Sequence, residues 1–265
     1  MRKISMAVLA GVALVGCGGP EATEQKIPSF EEFQAEAIQD EGNVYVLNGD
    51  EAVEGVEGLK AYYDQYVANG DQGSAQGGLA VYYSGGDIKW SSTQARNLTY
   101  CVSSSSFGSN YSKVVNAMAS ATGAWEATAN VDFIHLSQYD SSCTASQTGV
   151  LFDVRQTNTQ QYVARAFFPN ASRSSRNILI STSAFGNLGA WTLTGVLRHE
   201  LVHTIGFRHE HTRLTSTGCY EDSAWRALTN YDSSSVMHYP QCNGTQTGDL
   251  VLTSLDKSGA KSLYP

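Results

Sequence analysis

Two histidines and a glutamate share the run His199-Glu200-Leu201-Val202-His203, and a third histidine, His209, follows six residues later. On a helix, residues four apart lie on one face about one turn apart, so the imidazoles of His199 and His203 can reach a single metal at about 2.0–2.1 Å. Glu200 is angled away from direct ligation but stays close enough to take a proton from a water held there. The five-residue pattern also occurs in ordinary helices, so the residues after it matter. A continued helix would carry His209 about 9 Å further along the axis, out of reach. Gly206 allows a turn, because glycine enters left-handed backbone conformations without steric cost and can end the helix. His209 then swings back as a third ligand, and three neutral imidazoles with one position left open describe a catalytic zinc site, where a bound water has a pKa near about 7.

The full pattern His199-Glu200-x-x-His203-x-x-Gly206-x-x-His209 resembles the long zinc motif of the metzincin metallopeptidases. Its continuation through Phe207-Arg208-His209-Glu210-His211-Thr212-Arg213 is similar to the astacin branch and to the bacterial HEIGH-type metallopeptidases, although Leu201-Val202 stand where the latter often have Ile-Gly. Downstream, Ser235-Val236-Met237-His238-Tyr239 resembles the Met-turn of astacins. This resemblance implies that Met237 packs beneath the zinc histidines as a structural residue. It implies for Tyr239 a displaceable place on the metal and a donor role toward the oxyanion of the tetrahedral intermediate. Ala164-Arg165-Ala166-Phe167-Phe168-Pro169 looks like the sheet-edge strand that binds substrate by strand addition. Glu210 matches the glutamate that in astacins pairs with the freed mature N-terminus. Leu47-Asn48-Gly49-Asp50 resembles the element by which astacin propeptides place an aspartate on the metal, which makes Asp50 a candidate latency switch. Gly85-Gly86-Asp87-Ile88 is a weaker match, and Asn-Gly-Asp is equally a common turn sequence.

The similarity covers residues 90–265 and implies a zinc-dependent endopeptidase with Zn2+ as cofactor, Glu200 as general base and a protein or peptide as substrate. A zinc-stabilised surface binding module without activity would require loss of Glu200 or of the open site, and neither loss is visible. A hydrolase of cell-wall peptide amides would use the same chemistry. His135, His211 and His238 are read as hydrogen-bonding or surface histidines.

These residues need elements to hold them. Val114, Val115, Met118, Ala121, Trp125 and Ala129 recur at helical spacing and predict one long helix. Strands are expected at residues 131–136, 149–154, 163–168 and 177–181, before a second helix capped by Thr192 or Thr194 that carries the histidines. Strands with helices between them indicate an α/β (α+β) domain. The metzincin resemblance implies a twisted, mostly parallel sheet with an antiparallel edge strand packed on two long helices, a zinc site at the cleft floor and a smaller C-terminal subdomain.

Between Gly18 and Gly78 lie 13 of the 25 acidic residues and only two of the 17 basic ones, and the segment closes in a glycine-rich linker from Asn69 to Gly78. We divide the chain into an export signal over residues 1–17, an acidic prosegment or spacer over 18–86, and a catalytic domain over 87–265. An integral N-terminal subdomain is the alternative for the acidic part, with Tyr62, Tyr63 and Tyr66 available to pack. Arg2 and Lys3 precede an apolar run too short to span a bilayer, and Leu14-Val15-Gly16-Cys17 resembles the lipobox of bacterial lipoproteins. Lipidation of Cys17 would anchor the exported chain to a membrane, with release after prosegment cleavage as an expectation. The other four cysteines suit an oxidising compartment, and Cys101 with Cys143 and Cys219 with Cys242 is the favoured pairing because each stays local. A net charge of -8 leaves no basic surface for nucleic acid.

Overall fold

The computed structural model describes residues 27–68, 78–213, 219, 221–246 and 249–265. The signal and Cys17 lie outside the described residues, as does most of the glycine-rich linker. Among the described residues no helix is long and apolar enough to cross a membrane.

The acidic segment is a folded unit. Helix α1 (Phe30–Glu36) starts at a capping box made by Ser29 and Glu32. Strands β1 (Ile38–Asp40), β2 (Val44–Leu47) and β3 (Glu51–Glu54) form an antiparallel sheet, and helix α2 (Gly55–Tyr62) follows, ending in a π-helical turn over Tyr63–Val67. Phe33, Tyr62 and Tyr66 pack with Tyr45, Leu47 and Leu59 in a small core of their own, which also takes in Ala224 from the far side of the chain. The tyrosines therefore do pack, as the subdomain alternative supposed.

Strand β4 (Gly78–Tyr82) moves a boundary drawn from sequence. It pairs antiparallel with β10 (Trp225–Thr229), and Leu79 and Val81 are buried in the main core. Residues 78–82 therefore pack with the main core, while Tyr82 also packs against the small core of the acidic segment. Glycine-rich composition up to Gly78 concealed the change, because a strand needs only alternate apolar residues to commit to a core.

The main sheet has the order β6-β5-β7-β9-β8. Helix α3 (Ser92–Ala95) leads into β5 (Leu98–Val102), and helix α4 (Ser104–Phe107) into α5 (Tyr111–Glu126); β6 (Phe133–His135), β7 (Phe152–Thr157), β8 (Ala164–Arg165) and β9 (Asn177–Ser181) follow. Strands β6, β5, β7 and β9 run parallel, and β8 is the antiparallel edge, so the expected architecture holds. The interior strand β5 escaped the sequence pattern because buried parallel strands read as continuous apolar runs instead of alternating ones. β8 is shorter than the expected 163–168: the Ala166 N–H turns from the sheet and donates to the Asp50 carbonyl at 3.1 Å.

Helix α5 buries Val114, Met118, Ala121 and Trp125 against helix α6 (Leu193–Thr204), and the Trp125 indole N–H donates to the Arg198 carbonyl at 2.9 Å. Thr192 caps α6 by accepting from the Gly195 N–H at 3.0 Å. Helix α7 (Ser254–Leu263) closes the C-terminal part. Both favoured disulfides, Cys101–Cys143 and Cys219–Cys242, are formed.

Candidate active site

Helix α6 ends as the glycine demanded. Gly206 has φ +100°, its N–H donates to the His203 carbonyl at 2.9 Å, and the Phe207 N–H donates to the Val202 carbonyl at 3.2 Å. This is the double bond pattern of a left-handed helix stop. A Cβ at Gly206 would stand 2.1 Å from the Ile88 carbonyl oxygen, so only glycine fits. The chain reverses, and the rings of His199, His203 and His209 converge with centroids 4.9 to 5.2 Å apart.

Each imidazole is oriented from behind. His199 Nδ1 donates to the Val236 carbonyl at 2.7 Å, His203 Nδ1 to the Phe207 carbonyl at 2.7 Å and His209 Nδ1 to Glu221 Oε1 at 2.8 Å. Those bonds leave all three Nε2 atoms as lone pairs facing one another and the Asp50 carboxylate. The separations are 3.2 Å between His199 and His209 Nε2, 3.1 Å from each of these to an Asp50 oxygen, and 3.4 Å from His203 Nε2 to Asp50 Oδ1. Ligands about 2.0–2.1 Å from a tetrahedral centre stand about 3.3 Å apart, which these separations match, and the four groups all offer donor atoms within 4.8 Å of one another. His203 Nε2 and Asp50 Oδ1 are buried without a hydrogen-bond partner, as groups aimed at a cation would be. The donor set fits zinc.

Asp50 reaches this point from the acidic segment. Asn48 and Gly49 both have positive φ in the loop between β2 and β3, and the Asp50 N–H donates to the Leu47 carbonyl at 3.1 Å. The Asn-Gly-Asp stretch is thus both a turn and the device that aims Asp50. Tyr239 donates its hydroxyl to Asp50 Oδ2 at 2.6 Å, with its ring stacked on His199 and His211. Asp87 of the weaker match pairs with Arg226 at the surface instead.

Glu200 is 2% exposed, and its Oε2 has no partner. Burial raises its carboxyl well above the ordinary range, the Asp50 charge adds to the rise, and His209 and Arg165 oppose it. A cavity of about 220 Å³ opens beside it, with Tyr162, Ala164, Trp191, Val196 and Leu250 in its wall.

Met237 is fully buried and its carbonyl accepts from the Glu210 N–H at 2.8 Å. Asp256, in the first turn of α7, accepts from the Ser235 hydroxyl and from the Val236 N–H at 3.0 Å, and so pins the turn whose carbonyl orients His199. Glu210 is not a solvated surface residue. It is buried, accepts from the Asp232 N–H at 2.8 Å and faces Arg213 Nε at 3.3 Å. His135 pairs with Asp140; His238 pairs with Tyr231 at the rim of the cavity, its ring 5.6 Å from that of His211, and His211 in turn stacks on His209 and lies 3.0 Å from Glu221.

Glu221 carries no sequence signal, since an isolated glutamate 12 residues after His209 matches no motif. Its role follows from position: the carboxylate fixes the ring of His209 and strengthens Nε2 as a donor. Replacing Glu221 by Ala is expected to lower zinc affinity about 10–100-fold, measured by competition with a chromogenic chelator. Unchanged affinity would remove it from the site. Arg208 and Glu51 were likewise missed; they form a buried ion pair at 2.6 Å that Asp222 completes, joining the acidic segment to the site.

The family model for the matrixins matches residues 89–237, more than half of the chain, and spans the sheet, α6, the three histidines and Met237. The chain belongs to the matrixin family. It is a metzincin-type zinc metallopeptidase, a hydrolase of peptide bonds. A solved structure of myroilysin overlays with a TM-score of 0.46 at 16% identity, covering 70% of this chain and 98% of that one. No curated protein sequence matches.

Proposed function

We propose that this matrixin is a latent endopeptidase in which His199, His203 and His209 hold zinc, Glu200 moves the proton, and Asp50 closes the site until the acidic segment is removed. The observation that carries the reading is the convergence of three imidazole lone pairs and the Asp50 carboxylate at tetrahedral spacing. Zinc bound there supplies Lewis acidity, acidifying a water and polarising the scissile carbonyl. Glu200, with Oε2 unpartnered, accepts the proton from the attacking water and hands it to the leaving amine. The Tyr239 hydroxyl, freed from Asp50, donates to the oxyanion of the tetrahedral intermediate. An extended substrate takes the edge position at Ala166 that Asp50 and Glu51 occupy in the intact chain. The apolar wall of the cavity beside Glu200 receives a substrate side chain.

Export through the N-terminal signal, with a lipid on Cys17, is part of the same proposal; two disulfides support an oxidising compartment. Because β4 is committed to the core, activating cleavage falls between residues 69 and 78, in the exposed-type composition that proteases prefer. A new N-terminus would reach Glu210 only by displacing Arg213.

The test is digestion of casein by the processed protein with and without a zinc chelator, followed by N-terminal sequencing of the active material. Chelator-sensitive cleavage and a start between residues 69 and 78 are expected. Chelator-resistant activity would overturn the zinc assignment, and activity only in chains that retain Cys17 would overturn release.

A further inference from the structure

Arg165 sits on the edge strand β8 with its side chain fully buried, an unusual place for a guanidinium. Its Nε donates to Asp40 Oδ2, an oxygen that also accepts from the Tyr162 hydroxyl at 2.6 Å. Nη1 and Nη2 have no hydrogen-bond partner. Among the described residues its ion pair is with Asp40 alone, and Asp40 belongs to the acidic segment.

The same segment provides the cover over this face. Ile38 and Val46 pack on Tyr162 and on Leu179, the residue paired with Arg165 across the β8–β9 ladder. The next residue along the edge, Ala166, gives its N–H to the Asp50 carbonyl. The acidic segment therefore lays two carboxylates into one cleft, Asp50 at the histidines and Asp40 at Arg165. When it departs, the guanidinium keeps its place on the strand that guides the substrate backbone, with its only charged partner gone and Nη1, Nη2 and Nε free to donate.

We propose that Arg165 is a specificity-determining residue, forming a subsite for an aspartate or glutamate side chain of the substrate, which Asp40 fills in the intact chain. A carboxylate meets the planar fork of a guanidinium with two parallel hydrogen bonds, and the apolar flank of Tyr162 and Leu179 limits screening by water. An amide of the same shape presents one donor group to these donors and loses the charge. The inference rests on the peptidase function proposed above.

The experiment uses the full chain after nicking between residues 69 and 78, and internally quenched peptides that differ only by Glu or Gln, scanned through the positions flanking the scissile bond. At one position the Glu peptide is expected to have the higher kcat/KM by about 10–100-fold, the size of one charge-assisted contact. That ratio should shrink in 1 M NaCl, a readout that needs no variant. Arg165→Gln should bring the ratio to about one, and Arg165→Lys should leave it in between. Zinc content and the thermal midpoint of the variants check folding. A wild-type ratio near one at every position overturns the subsite while leaving the peptidase intact, as does an Arg165→Gln protein that keeps the ratio; in those cases Arg165 only clamps the acidic segment. Zinc-loaded protein that cleaves neither peptide overturns the peptidase reading and the subsite with it.

Discussion

Replacing Glu200 by Gln is expected to leave one zinc per chain and to cut turnover of a protein substrate by about 10²–10⁴-fold, the usual contribution of a positioned acid–base group. The substitution keeps the shape of the side chain and leaves His199, His203 and His209 with their Nδ1 partners undisturbed. It removes a buried carboxylate in the cavity wall whose Oε2 has no partner. Metal analysis alongside initial rates separates the two effects. His209→Ala should do the reverse and lose the metal, by more than the about 10–100-fold that outer partners contribute, since a primary ligand is gone and Glu221 is left holding His211 and Arg208 instead of a ligand. Wild-type turnover in Glu200→Gln would defeat the mechanism; loss of zinc in that variant would show that Glu200 holds the site together instead.

The second large effect is at Asp50. In the intact chain its carboxylate stands against three imidazoles and accepts from the Tyr239 hydroxyl at 2.6 Å. Removing it in Asp50→Ala forfeits the zinc contact and a charge-assisted hydrogen bond, together worth about 3 kcal/mol or more. The site should open about 10²-fold more often, so uncleaved Asp50→Ala should hydrolyse peptide where uncleaved wild type does not. Activity will stay below that of the nicked enzyme, because Ala166 still pairs with the segment and Glu51 still holds Arg208. The measurement is the rate of purified uncleaved protein, confirmed intact by mass spectrometry. If uncleaved Asp50→Ala is as silent as wild type, latency comes from blockage of the edge strand and Asp50 is not the switch.

The zinc chemistry was legible in the sequence because it depends on local geometry. Helical pitch puts His199 and His203 on one face, and Gly206 marks the one place where the chain can turn toward His209. Residue type and spacing suffice for such features. The α5 stripe, the Thr192 cap and the two short-range disulfides were readable for the same reason. Buried partners from distant parts of the chain were not. Asp40 reaches Arg165 across 125 positions and Glu51 reaches Arg208 across 157, whereas Asp50, 149 positions from His199, was marked only by the resemblance of its Leu-Asn-Gly-Asp run to a propeptide element. A carboxylate in an acidic segment looks the same to sequence whether it is solvated or seated on a cation, since its meaning comes from desolvation and from the group it faces. The order of residues determined the metal-binding helix, its stop and the proton carrier. Tertiary packing alone decided that the acidic segment folds, that β4 packs in the main core, and that Asp40 and Glu51 are pressed into the cleft, where burial turns ordinary surface charges into specific contacts.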